Sequence, residues 1–148
     1  MADRLRLDRF LPYLLSVTSN RVSERIARTY DALFGLSIPE WRLIAVIAEA
    51  PGITQADIGE RTRMDKVTVS RAAIALAARG LLERAPNAAD RRSRHLSLSA
   101  AGHALYEQVA PKALELERRL FARFDAGELR QLTEMLRRID AAVAEENG

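Results

Sequence analysis

The sequence predicts a mainly α-helical fold with one small β-hairpin, and three observations predict it. Residues 54–61 and 65–71 read as two short helices separated by a tight turn. Leu81-Leu82-Glu83-Arg84 and Arg94-His95-Leu96-Ser97-Leu98 alternate like strands, with the polar stretch 86–93 between them. Long segments with helical periodicity lie on both sides of this block.

In chain order, Leu7, Phe10, Leu11, Leu14, Val17, Val22 and Ile26 recur at roughly helical spacing and predict a first helix over about 8–33. Gly35 is its expected stop. Ser37 is placed to cap the next helix, with Pro39 in its first turn and Glu40 at the capping-box position. That helix reaches Ala50 before Pro51-Gly52 breaks the chain. Thr54 caps the first short helix, Arg61-Thr62-Arg63-Met64 makes the turn, and Asp65 caps the second. Gly80 ends that second helix in a left-handed conformation. Ser99 caps a further helix carrying Leu105, Val109, Leu116 and Leu120, and Pro111 inside it predicts a kink. A last helix holds Leu129, Leu132, Leu136, Ile139 and Val143 on one face.

Helix, turn, helix and hairpin in this order form the plan of a winged helix-turn-helix, whose usual work is reading duplex DNA. The charge agrees with that plan. Residues 51–99 hold nine basic and five acidic side chains, while the rest of the chain holds 14 basic and 15 acidic. The positive excess therefore sits on the expected reading head, where phosphate neutralisation would need it.

The first short helix presents Thr54 and Gln55 at its start, where a helix N-terminus can face a phosphate, and turns Ile58 inward. The second is the expected recognition helix. Lys66, Thr68, Ser70 and Arg71 lie near its start, where side chains reach base edges, and Val67, Ala73, Ile74 and Ala77 are expected to form its apolar back. Arginine can read guanine in bidentate fashion, and threonine or serine can serve several bases. In the hairpin tip, Asp90, Arg91, Arg92 and Arg94 stand close together. An arginine there can enter a narrow minor groove, where the negative potential is enhanced.

Other classes find less support. At 148 residues the chain is one compact domain or one domain with helical arms, and charged residues make up 29% of it. The longest apolar runs are too short to span a bilayer. Met1-Ala2-Asp3-Arg4-Leu5-Arg6 lacks the apolar stretch of a signal peptide, so the expected location is the cytoplasm. There is no cysteine, and His95 and His103 are too few for a metal cluster, so neither a metal nor another cofactor is expected. No glycine-rich phosphate loop and no Gly-x-Ser-x-Gly motif occurs, which argues against an enzyme. The alternative is a winged helix used for protein–protein contact, since a fold does not determine its partner. The cluster Asp90-Arg91-Arg92-Ser93-Arg94 favours DNA, because a protein-binding wing has no need of it.

The chain resembles the MarR family, regulators of the multiple-antibiotic-resistance type, over nearly its whole length. The resemblance rests on Leu36-Ser37-Ile38-Pro39-Glu40-Trp41-Arg42-Leu43, Pro51-Gly52-Ile53-Thr54-Gln55 and Met64-Asp65-Lys66-Val67-Thr68-Val69-Ser70-Arg71. Its most specific pieces are Arg79-Gly80-Leu81-Leu82-Glu83-Arg84, Asp90-Arg91-Arg92 and Leu96-Ser97-Leu98-Ser99-Ala100-Ala101-Gly102. It implies a homodimer held together by helices in 1–36 and 100–148, with 37–99 as the winged helix-turn-helix. It also implies a palindromic operator in double-stranded DNA, usually bound as a repressor. By position, Arg92 resembles the wing arginine that enters the minor groove. Asp90 resembles the wing acid that holds the loop by pairing with an arginine. Thr68, Ser70 and Arg71 resemble the base and phosphate readers. The run Ala72-Ala73-Ile74-Ala75-Leu76-Ala77 departs from the pattern in being alanine-rich.

The resemblance further implies a small aromatic or phenolic anion as effector, bound between the dimer helices and the winged head. Ser19, Asn20 and Ser23 on the first helix, and Trp41 and Arg42 on the second, are the residues offered for it. Residues of these types more often serve otherwise, Trp41 in the core and Arg42 in solvent or in an interdomain ion pair. Without cysteine, a thiol-based peroxide switch is excluded.

Overall fold

The computed structural model describes residues 3–147. Met1, Ala2 and Gly148, the outermost residues of the expected dimerisation segments, lie outside the described residues. The chain is mostly helical with one small antiparallel sheet, and it divides at Pro111 into two compact units.

The first unit opens with a single 3-10 turn, Leu7–Arg9, followed by α1 (Leu11–Phe34). The expected helix from about residue 8 thus begins later. Phe10 is extended and Pro12 stands in the first turn of α1. A helix running through from Asp8 would need an N–H that Pro12 lacks and would press its ring on the preceding turn, so Pro12 starts the helix. Gly35 ends it at φ 62°. The capping box of α2 (Ile38–Glu49) forms as expected: the Glu40 N–H donates to Ser37 Oγ at 3.3 Å, and the Ser37 N–H donates to Glu40 Oε1 at 2.9 Å.

Next come β1 (Ile53–Thr54), α3 (Gln55–Thr62) and α4 (Lys66–Ala78). Strands β2 (Leu82–Pro86) and β3 (Arg94–Leu98) make the hairpin, and α5 (Ala100–Leu120) begins behind it. The sheet order is β1-β3-β2, antiparallel throughout, with Leu82 opposite Leu98 and Ile53 opposite Leu96. β1 was not expected from the sequence, because two residues between a chain break and a helix cap carry no readable alternation. Its register is set by β3: the Gly52 N–H donates to the Leu96 carbonyl at 2.8 Å. The hairpin strand β2 begins one residue later than expected and extends to Pro86, which the exposed edge of the sheet tolerates.

The core of this unit is formed where Ile44 and Ile47 of α2, Ile58 of α3, Leu76 of α4 and Leu96 of β3 are fully buried. Each contributes about 1.5–3 kcal/mol of burial energy as an upper bound. An aromatic row adds to it: Trp41 stacks on Tyr106 with centroids 5.9 Å apart and meets Tyr30 edge-on at 5.6 Å. Burial pushes the Tyr30 phenol above its ordinary pKa.

The second unit holds the end of α5 and then α6 (Ala126–Asn147). Pro111 lies inside α5 as the sequence indicates. Asp125 and Glu128 cap α6 reciprocally: the Glu128 N–H donates to Asp125 Oδ1 at 2.8 Å and the Asp125 N–H to Glu128 Oε1 at 3.0 Å. No residue of α6 is buried, although Leu132, Leu136, Ile139 and Val143 share one face. No helix among the described residues is long and apolar enough to cross a membrane.

Candidate nucleic-acid interface

The expected reading head is assembled by local capping. Thr54 Oγ1 accepts from the Asp57 N–H at 3.2 Å and so starts α3. The turn between α3 and α4 is tight enough to put Arg63 in the left-handed region at φ 58°. Thr62 Oγ1 stabilises it by donating to the Ile58 carbonyl and accepting from the Met64 N–H. Asp65 Oδ1 then accepts from the Thr68 N–H at 2.7 Å and starts α4. That hydrogen bond holds the Asp65 carboxyl below the usual carboxylate range, and the Arg71 charge adds to the effect.

Four of the expected readers line two concavities, and Thr54, Ser70 and the wing residues line neither. Gln55 and Lys66 line one with Gly59, Glu60 and Arg63. Thr68 and Arg71 line another with Ser37, Pro39 and Glu40 of α2. Lys66 and Arg71 are exposed, while Thr68 and Ser70 are half-buried.

The rotation of α4 differs from the sequence expectation. Val69, Ala72, Ala73 and Leu76 face the core, whereas Val67 and Ile74 are 58% and 59% exposed. Of the expected apolar back, only Ala73 is buried and Ala77 half-buried. The physical reason is the alanine-rich run: with small apolar residues on several sides, the neighbours α2 and α3 decide which side packs. Val67 and Ile74 therefore join Arg71 on the outward face.

The wing tip consists of two consecutive turns. The Asp90 N–H donates to the Asn87 carbonyl, and the Ser93 N–H to the Asp90 carbonyl, each at 3.2 Å. Asn87 Nδ2 closes the tip by donating to Ser93 Oγ at 2.7 Å. Asp90 does hold the loop, but the partner is corrected: its Oδ1 accepts from the Arg92 backbone N–H at 2.9 Å, and among the described residues it pairs with no arginine side chain. An aspartate two residues before its partner makes this short-range bond more readily than it orders a long exposed arginine. Arg91, Arg92 and Arg94 all project into solvent.

Three contacts that orient the head escaped sequence reasoning. Arg79 Nη1 and Nη2 donate to the carbonyls of Gly35 and Phe34, both at 3.2 Å. His95 Nδ1 donates to the Gly52 carbonyl at 2.6 Å, which ties β3 to the chain entering α3. Gly102 lies so close to the wing base that a Cβ there would overlap the Leu81 carbonyl. Arg79 and Gly102 belong to the pieces that carry the family resemblance, whereas His95 lies one residue before the last of them and carried no such signal.

The residues offered for an effector lie on two helices, α1 and α2. Ser19 and Asn20 are exposed on α1, Ser23 is half-buried, and Arg42 is exposed on α2. Trp41 is engaged by the two tyrosines described above.

This architecture has many counterparts. The sequence profile of the MarR family matches residues 34–93, which span α2 through the wing tip. The HTH-type transcriptional regulator PecS of Dickeya dadantii is 30% identical over 135 residues, covering 87% of this chain and 81% of that protein. The homoprotocatechuate degradative operon repressor of Escherichia coli is 28% identical over 101 residues, 68% of each chain. The crystal structure of a MarR/EmrR family transcriptional regulator from Acinetobacter sp. ADP1 superposes with a TM-score of 0.87 at 26% identity, covering 95% of this chain and 99% of that one. Helix order, three-stranded sheet, wing and sequence agree, and the chain belongs to the MarR family of winged helix-turn-helix transcription regulators.

Proposed function

We propose that this chain acts in the cytoplasm as a homodimeric repressor that binds a palindromic operator in double-stranded DNA. The observation that carries the reading is the exposed set on one winged head. Lys66 and Arg71 lie on the capped start of α4, and Arg91, Arg92 and Arg94 on a wing tip braced by its own hydrogen bonds. Thr54 and Gln55 at the start of α3 and Thr68 and Ser70 on α4 complete the DNA-reading set, and Asp90 orders the loop.

Dimerisation through segments 1–36 and 100–148 is supported by apolar side chains left uncovered in each. Leu7, Phe10, Leu11 and Leu14 are exposed at the start of the chain, and Leu132, Leu136 and Ile139 on α6. A permanent interface of this kind buries upwards of ~2,000 Å². The repressor role is supported by a relative that is by name an operon repressor. A small aromatic or phenolic anion would then release the operator, with coupling of ~1–3 kcal/mol between the two ligands. Ser19, Asn20, Ser23, Trp41 and Arg42 remain the residues proposed to meet it.

Selection of bound duplexes from a random library tests the main reading, with sedimentation equilibrium run alongside. A palindromic consensus and a dimer at micromolar concentration are expected. A folded monomer, or a consensus without symmetry, refutes the dimeric operator reading. No salt-dependent affinity for any duplex would instead favour a protein-binding winged helix.

A further inference from the structure

The outward face of α4 carries an apolar side chain where a purely phosphate-binding helix would have none. Val69, Ala72, Ala73 and Leu76 point into the core, so the side turned away from it runs through Val67, Arg71 and Ile74. Val67 is the second residue of α4, next to the Asp65 cap, and 58% of it is exposed. Nothing in helix formation asks for valine there, since its branched side chain loses rotamer freedom in a helix. Once in a helix, the same stiffness presents a fixed isopropyl group that loses little further freedom on contact. Lys66 and Arg71 on either side supply charge for phosphates or guanine.

In the major groove the base pairs offer one apolar group, the C5-methyl of thymine. Residues at the start of a recognition helix are the ones that reach base edges. We propose that Val67 is a specificity-determining residue that packs on a thymine methyl group and sets the preference for an A·T pair at that position of the site. The inference rests on the DNA-reading function proposed above. Ile74 is equally exposed but lies seven residues further along, about 10 Å down the helix axis, away from the reading end.

The test uses the full chain and a duplex selected by it from a random library. Each thymine is replaced in turn by deoxyuridine, which removes the methyl group and leaves base pairing intact. In the wild-type chain one thymine per half-site should show a three- to fivefold loss of affinity, the factor that about one buried methyl group represents. In Val67→Ala the same replacement should change affinity less than 1.5-fold, whereas Ile74→Ala should keep the full effect. Both side chains are exposed, so circular dichroism should show unchanged folds. A flat thymine scan with duplex binding intact overturns the assignment and leaves the DNA-reading function standing. So does undiminished sensitivity in Val67→Ala. Absence of any duplex binding overturns both.

Discussion

Arg79 Nη1 donates to the carbonyl oxygen of Gly35 at 3.2 Å, across 44 residues of chain. The same guanidinium donates to Phe34, so one side chain satisfies two carbonyls that the end of α1 leaves without helical partners. It joins the end of the recognition helix to the end of the long first helix. Arg79→Ala should lower unfolding stability by about 1 kcal/mol, the usual worth of an exposed charge-assisted bond. Arg79→Lys should recover less than half of it, because an ammonium lacks the two-pronged fork. Urea unfolding of the three proteins measures both effects; equal stability of all three refutes the role.

Gly102 is held to glycine by space. A Cβ would overlap backbone at Leu81, which cannot move aside as a flexible side chain could. Gly102→Ala should therefore cost about 1–3 kcal/mol of overpacking, against about 1 kcal/mol of improved helix propensity. The expected net result is a lower urea midpoint. A midpoint above that of the wild type would contradict the packing argument.

Asp90 orders the wing through a backbone bond. Its Oδ1 accepts from the Arg92 N–H, which an asparagine side-chain oxygen can also do. Asp90→Asn should therefore keep near-wild-type operator affinity, whereas Asp90→Ala should weaken it. Arg92→Ala should lower affinity by about 1–2 kcal/mol across most sequences and reduce the salt slope by about one. Combined with Asp90→Ala it should be non-additive, because the aspartate acts by aiming that arginine. If Asp90→Asn is as damaging as Asp90→Ala, an ion pair rather than a backbone bond is at work.

The Asp65 cap gives a pH dependence of known sign. Its carboxyl is held below the usual range when folded, so the ionised form is the one the fold stabilises. That contribution is fully present above pH ~4 and is lost as pH falls through the lowered folded value. Asp65→Ala should thus lower the melting temperature at pH 7, and the difference from the wild type should shrink as pH falls from ~4 through the lowered folded value. A gap that stays constant to pH 2 would mean that the aspartate acts through something other than its charged cap.

What the sequence determined alone was local. Ser37, Thr54 and Asp65 cap helices through bonds to residues three positions on, and Gly35 and Gly80 close helices in the left-handed region. Such contacts lie within one turn of chain, so residue type and spacing suffice to read them, and with them the order of helices and hairpin. The tertiary structure decided what depends on neighbours distant in sequence. The two-residue strand β1 exists because β3 lies beside it. Arg79 and Gly102 acquire their roles from α1 and from the base of the wing. The rotation of α4 was decided the same way: its alanine-rich middle gives little contrast between sides, so packing against α2 and α3 turned Val67 outward and left Val69 in the core.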